Sequence, residues 1–188
     1  MIPLGILAAA GGAVASVDSY DLLATEILTS SQSSVTFASL GTYAADYQHL
    51  QLRVVARTLR SSTGDALLIQ FNNDTGSNYA RHLLSGNGSS ASSEASASRS
   101  NIELFRLSGA NDSTSSFGAI LSDILDPFIT SKNTTLRSLG GSTGDPQISL
   151  GSGAWFNTAS INTIKCFAFG GNFVAGSRFS LYGIRKAA

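Results

Sequence analysis

The stretch Tyr47-Gln48-His49-Leu50-Gln51-Leu52-Arg53-Val54-Val55-Ala56-Arg57-Thr58 decides the fold class. Leu50, Leu52 and Val54 stand at every second position with Gln51, Arg53 and Val55 between them, and side chains two residues apart share one face of a strand. A helix would need apolar residues three and four apart, a period almost absent from this chain. Alternation returns at residues 66–72, where Leu68, Gln70 and Asn72 oppose Ile69 and Phe71. It returns again at 178–184, where Phe179, Leu181 and Gly183 oppose Ser180, Tyr182 and Ile184.

Outward from these segments, apolar runs of strand length are separated by clusters of Gly, Ser, Asn and Asp. They predict strands over residues 22–29, 34–39, 48–58, 66–72, 79–85, 101–107, 117–125, 134–140, 147–150, 161–169 and 178–184, with one helical turn within 41–47. Strands with one core face and one more polar face fit two packed antiparallel sheets. About ten such strands predict an all-β antiparallel β-sandwich, jelly-roll-like rather than immunoglobulin-like. Residues 85–100, SGNGSSASSEASASRS, carry no hydrophobe larger than alanine. Such a segment buries too little surface to offset its ordering, so it is expected to be an exposed loop or spacer. Further polar loops are expected at 108–116 and 140–146.

A chain of 188 residues suits one domain, placed at residues 18–188. Residues 1–17 open as Met1-Ile2-Pro3-Leu4-Gly5-Ile6-Leu7, apolar but without the basic start of a signal peptide and too short to cross a bilayer. They are expected to form an extended docking arm, with Ile2, Pro3, Leu4, Ile6 and Leu7 as the contact residues. Twelve Lys and Arg balance twelve Asp and Glu, and charged residues make up 13% of the chain, about half the usual share. That balance argues against nucleic acid, which needs a basic excess, and no membrane insertion is expected. A surface rich in Ser, Thr, Asn and Gly but poor in charge is expected to associate with copies of itself.

The residue types that carry chemistry do not converge. Cys166, the single cysteine, sits in the apolar run Ile164-Lys165-Cys166-Phe167-Ala168-Phe169 and reads as a buried structural thiol. His49 and His82 fall inside separate strands, and Gly151-Ser152-Gly153 leads into Trp155 rather than into a helix, so no nucleophile elbow forms. Asp123 and Asp126, three apart, should face opposite ways. The segment 72–78, Asn-Asn-Asp-Thr-Gly-Ser-Asn, offers oxygen ligands but lacks the closing glutamate of a calcium loop and reads as a tight turn. No catalytic, cofactor-binding or metal-binding residue is assigned. Tyr43, Tyr47 and Trp155 are candidate contacts for an interface or a carbohydrate receptor, with core packing as the default for each.

Four segments, in this order and spacing, carry a further signal: Tyr47-Gln48-His49-Leu50-Gln51-Leu52-Arg53, Phe71-Asn72-Asn73-Asp74-Thr75-Gly76-Ser77-Asn78-Tyr79, Gly151-Ser152-Gly153-Ala154-Trp155 leading to Ala159-Ser160-Ile161-Asn162, and Ser177-Arg178-Phe179-Ser180-Leu181-Tyr182-Gly183-Ile184. Together with the opening Met1–Leu7 they resemble a family of small tailed-bacteriophage virion structural proteins. The resemblance implies a non-enzymatic protein assembled in the host cytoplasm and displayed on the virion. A homotrimeric tail-fibre or tail-tip component contributing to host attachment is expected. The alternative is a capsid cement or decoration protein that stabilises capsomer junctions. The arm would grip a baseplate or fibre protein in the first case and the major capsid protein in the second, and a host surface glycan or receptor is a further expected partner. An enzyme cleaving host glycans would need clustered acids, and the acidic residues are scattered.

Overall fold

The computed structural model describes residues 19–144 and 146–186, so the expected docking arm, with Ile2, Pro3, Leu4, Ile6 and Leu7, lies outside the described residues. Twelve strands follow in order: β1 (Tyr20–Ile27), β2 (Ser34–Phe37), β3 (Tyr47–Ala56), β4 (Gly64–Phe71), β5 (Tyr79–Gly86), β6 (Ala91–Arg99), β7 (Ile102–Ser108), β8 (Gly118–Leu125), β9 (Thr134–Gly141), β10 (Ile148–Trp155), β11 (Ile164–Ala168) and β12 (Arg178–Arg185). A single 3-10 turn, Leu40–Tyr43, sits where one helical turn was expected.

Eight of the strands nest in antiparallel pairs: β1 with β12, β2 with β11, β3 with β8 and β4 with β7. β12 then lies beside β3 and β11 beside β4, which gives the two four-stranded sheets of a jelly roll, β1-β12-β3-β8 and β2-β11-β4-β7. The hairpins β9–β10 and β5–β6 extend the first sheet to eight strands in the order β1-β12-β3-β8-β9-β10-β5-β6. The architecture is therefore the expected jelly-roll sandwich with one sheet doubled in width.

Alternation assigns the faces of β3 correctly. Leu50, Leu52 and Val54 are buried together with Leu67, Ile69 and Phe71 of β4 and Phe179 and Leu181 of β12, all members of one core cluster. Val55 stays exposed on the other side. β4 departs from the expected one-sided burial, since all eight of its residues are covered. Gln70 remains satisfied there because its Nε2 donates to the carbonyl of Ser100 at 2.9 Å.

Over the extension the inner face is built from small residues. A Cβ placed on Gly118 would lie 2.2 Å from the carbonyl oxygen of Arg106, and one on Gly140 would lie 2.0 Å from that of Phe105. On β10, a Cβ at Gly153 would meet Ile102 Cγ2 at 2.6 Å. The backbone of β7 thus rests directly on β8 and β9, far closer than the roughly 10 Å at which two sheets normally pack through their side chains.

Residues 85–100 do not form the expected loop. β5 continues to Gly86 and β6 pairs along it from Ala91 to Arg99 as the edge of the wide sheet. The turn between them is held by Asn87, whose Oδ1 accepts the backbone N–H groups of Ser89 and Ser90, and by Gly88 at φ +85°. Burial does not order this strand, because its side chains are largely exposed. Its order comes from the backbone ladder and from Glu94, which pairs with Arg81 at 2.8 Å. The overlooked signal was the dipeptide Asn87-Gly88, a hairpin turn marker independent of hydrophobic content.

The close contact of β7 separates two adjacent glycines. Gly140→Ala is expected to lower stability by about 1–3 kcal/mol, the usual cost of forcing extra volume into a packed site. Gly141→Ala, whose Cβ would meet nothing nearer than Gln147 O at 3.7 Å, should leave stability nearly unchanged. Denaturant unfolding of the two variants checks the difference.

Candidate interaction surface

The three aromatic candidates part company in the structure. Trp155 ends β10 on the inward side and is 1% exposed, stacked against Tyr79 at 6.4 Å and tilted against Phe71 at 5.7 Å. It is a core anchor with no surface left for a receptor or an interface. Its indole Nε1 donates to Asp74 Oδ2 at 2.8 Å, so the polar edge of the ring is satisfied inside the fold. Tyr47 is also buried, and its hydroxyl donates to Asp21 Oδ2 at 2.9 Å, with Arg185 pairing the same carboxylate at 2.8 Å. Burial, with the Asp21 carboxylate beside it, raises the Tyr47 pKa. Only Tyr43 keeps part of its surface open. It sits edge-on to Tyr47 at 6.0 Å and lines a groove of about 420 Å³ between the edge strands β1 and β2. Sequence position could not separate the three, because facing at a strand end depends on which sheet covers it.

The loop 72–78 forms a latch. Asp74 Oδ1 accepts from Gly76 N at 2.8 Å, and Oδ2 accepts from Asn78 Nδ2 at 2.9 Å as well as from Trp155. Asn72 and Asn73 adopt left-handed φ of 51° and 56°. Asn72 Oδ1 accepts from the backbone of Asn162 and Thr163, tying the β4–β5 turn to the β10–β11 connection. Both carboxylate oxygens of Asp74 and the amide oxygen of Asn72 are thus engaged with internal donors. Among the described residues, no group of three or more His, Cys, Asp or Glu side chains gathers at metal-binding distance.

The titratable candidates do not gather at one site, and of them only His49 and Asp126 lie side by side, Nδ1 to Oδ1 at 3.3 Å. His49 Nδ1 accepts from the Asp126 backbone N–H at 3.0 Å, while His82 lies on β5, four strand spacings or about 19 Å away across the sheet. Asp123 is held by Gln51 Nε2 at 2.8 Å and Arg137 Nε at 3.0 Å, and Asp126, just past the end of β8 at φ 48°, pairs with Lys132. Cys166 is fully buried and its thiol is pushed up to about 12 by desolvation, so the nucleophilic thiolate does not form near neutral pH.

The feature that does stand out is the outer face of the wide sheet. Direct cross-strand neighbours form one row, Leu121, Leu139, Leu150 and Leu84, on the consecutive strands β8, β9, β10 and β5, with Arg53 of β3 at one end and Ser93 of β6 at the other. All four leucines are exposed, from 39% at Leu121 to 57% at Leu150. The row on one side is small or aliphatic: Val55, Ala119, Gly141, Ile148, Gly86 and Ala91. On the other side the row is polar: Gln51, Asp123, Arg137, Ser152, His82 and Ala95. Between the leucine row and the small row runs a shallow, mostly apolar groove of about 430 Å³ that includes Val55, Ala119, Leu139 and Ile148. Hydrophobic period alone could not find this face, because it mixes positions that the core would also use.

Asp74 links the latch to the core, and its pKa is lowered chiefly by the hydrogen bond from Trp155 and then by that from Asn78. A carboxyl depressed in the folded state stabilises the fold above its ordinary pKa of 3.8, and that contribution is lost as pH falls through the lower folded value. Asp74→Ala leaves the buried indole N–H unpaired and is expected to cost about 1–3 kcal/mol. Asp74→Asn should flatten the acid limb of the stability profile, read below pH 4 by the fluorescence of Trp155, the only tryptophan.

Comparison with family models, with curated proteins and with solved structures finds no match to this chain, so its own geometry and sequence carry the functional reading.

Proposed function

We propose that this chain is a non-enzymatic structural component of a bacteriophage particle, a homo-oligomeric tail-fibre or tail-tip protein that contributes to host attachment. The observation that carries the reading is the contiguous apolar outer face of the wide sheet. An exposed apolar patch of this kind on a rigid scaffold is characteristic of a protein that works in contact with others. Two further features support it. Jelly rolls recur in viral shells and in lectins, although a fold by itself does not assign a function. The sequence segments at 47–53, 71–79, 151–162 and 177–184 resemble virion structural proteins.

In this reading the homotrimer expected from sequence hides the apolar excess. Residues 1–17 tether the protein to a baseplate or fibre partner, and a host surface glycan or receptor meets the loops at one end of the sandwich. Tyr43, in its partly open groove, is the aromatic placed to contribute to such a contact. The breadth of the apolar face favours one second reading, a cement protein that spreads over capsomer junctions and takes the major capsid protein as the partner of its arm.

Calibrated mass spectrometry of purified particles separates these readings. A few to some tens of copies per particle supports the tail reading, hundreds support the cement reading, and absence from the particle overturns both. Deletion of residues 1–15 is expected to abolish incorporation while leaving the sandwich folded by circular dichroism. Normal incorporation of the truncated chain would end the tether assignment.

A further inference from the structure

The outer face of the wide sheet has the shape of a surface made to meet itself. The leucine row Leu121, Leu139, Leu150 and Leu84 is a ridge, and the parallel row beside it holds a groove over Ala119 and Gly141, closed at one end by the exposed Ile148. Ridge and groove lie on the same face, displaced along the strands by two residues, or about 7 Å. An axis running along the rows and midway between them sets the ridge of one copy against the groove of the next. The same operation sets the groove of the first against the ridge of the second, a reciprocal two-fold contact that closes with two copies.

We propose that two copies of this chain associate through this face, the Leu121 and Leu139 part of the ridge of one seated in the Ala119–Gly141 groove of the other, with Leu150 of one packed against Ile148 of the other. The inference rests on the homo-oligomer reading above and gives it a surface that pairs two copies in place of the expected homotrimer.

The area is adequate for the task. Leu84, Leu121, Leu139, Ile148, Leu150 and Val55 are 39–58% exposed and together leave roughly 500 Å² of aliphatic surface open. That supplies most of the roughly 800 Å² per partner of a standard interface, with the rest from the backbone and small side chains of the same rows. The arrangement also has the anatomy of an interface, an uncharged centre with a polar border. Arg53, Arg137 and Asp123 lie at the border, and Asp123 already accepts from Arg137. A chain with equal numbers of basic and acidic residues imposes no net repulsion between copies.

The test uses the full chain in analytical ultracentrifugation over a concentration series. The wild type is expected to sediment as a multiple of 19.4 kDa. The double variants Leu139→Lys with Leu150→Lys, and Leu139→Glu with Leu150→Glu, should each shift the association midpoint upward about 100-fold or more, to the monomer at working concentration. Both positions are already half exposed, so the unfolding transition of each variant should match the wild type. Mixing the Lys and Glu variants in equal amounts should restore association, because ridge then meets ridge-bearing face of opposite charge. A wild type that is monomeric throughout overturns the inference, as do double variants that stay associated. A mixture that stays monomeric shows that the face meets some other surface and overturns it too. Deletion of residues 1–17 supplies the remaining arm of the test: a monomeric wild type that associates only after the deletion means the chain's own N-terminal segment covers the face, and the inference fails. Self-association through this face in a protein absent from particles would leave the inference standing and remove the virion reading alone.

Discussion

The close approach of β7 to the wide sheet is the constraint on which the rest of the structure depends. With the carbonyls of Phe105 and Arg106 set against Gly140 and Gly118, no side chain fits between the layers at those points. Ser122, Ser138, Ser149 and Gly151 continue the small-residue lining of β8, β9 and β10 on the same side. Strand alternation then sends the large aliphatic residues of these strands to the opposite face. Leu121, Leu139, Ile148 and Leu150 are exposed for that reason. The inner face over the jelly-roll half is lined with Leu50, Leu52 and Leu181, so the usual polarity holds there and loosens in the extension. One steric requirement inside the protein therefore shapes the surface outside it.

The charged side chains that the fold buries, Arg57, Asp65, Arg81, Glu103 and Asp123, each meet a fixed partner. Arg57 is buried, and its guanidinium donates to the carbonyls of Ala110, Asp112, Ser113 and Ser116, gathering the whole β7–β8 loop around one cation. Arg81 and Glu103, each about nine-tenths buried, pair at 3.2 Å where the β5–β6 hairpin passes β7, with Glu94 and Arg99 completing the network. Removing one member of such a set leaves the others charged and unpaired away from water, so loss of a single member is costly. Asp65 works the same way at the far end, accepting from Thr58 Oγ1 at 2.7 Å and from the Gly170 backbone at 3.3 Å.

The strand pattern was largely legible because period-two alternation is a local property. Residues 48–58, 66–72 and 178–184 overlap β3, β4 and β12, with the core face of β3 as read and β4 covered on both faces, and the helical turn near Tyr43 is a single 3-10 turn. The strand at 91–99 was illegible by that criterion, since a Ser- and Ala-rich edge strand is held by its ladder to β5 and not by burial. β10 was read short, ending at Leu150, because Gly151 and Gly153 look like loop residues until β7 is laid over them.

The interaction surface was not legible at all. Leu84, Leu121, Leu139 and Leu150 lie far apart in the chain and become neighbours only through the pairings of β8, β9, β10 and β5. Trp155 and Tyr47, candidate contacts with core packing as the default, are buried, with partners at Asp74 and Asp21 that no local pattern connects to them. The sequence by itself determined the all-β class, most strand positions, the buried cysteine and the near absence of net charge, because each follows from residue type and short-range period. The tertiary structure alone decided the width of the sheet, which aromatics are buried and where the leucine row forms, because these depend on strand order and on how closely two layers of backbone approach.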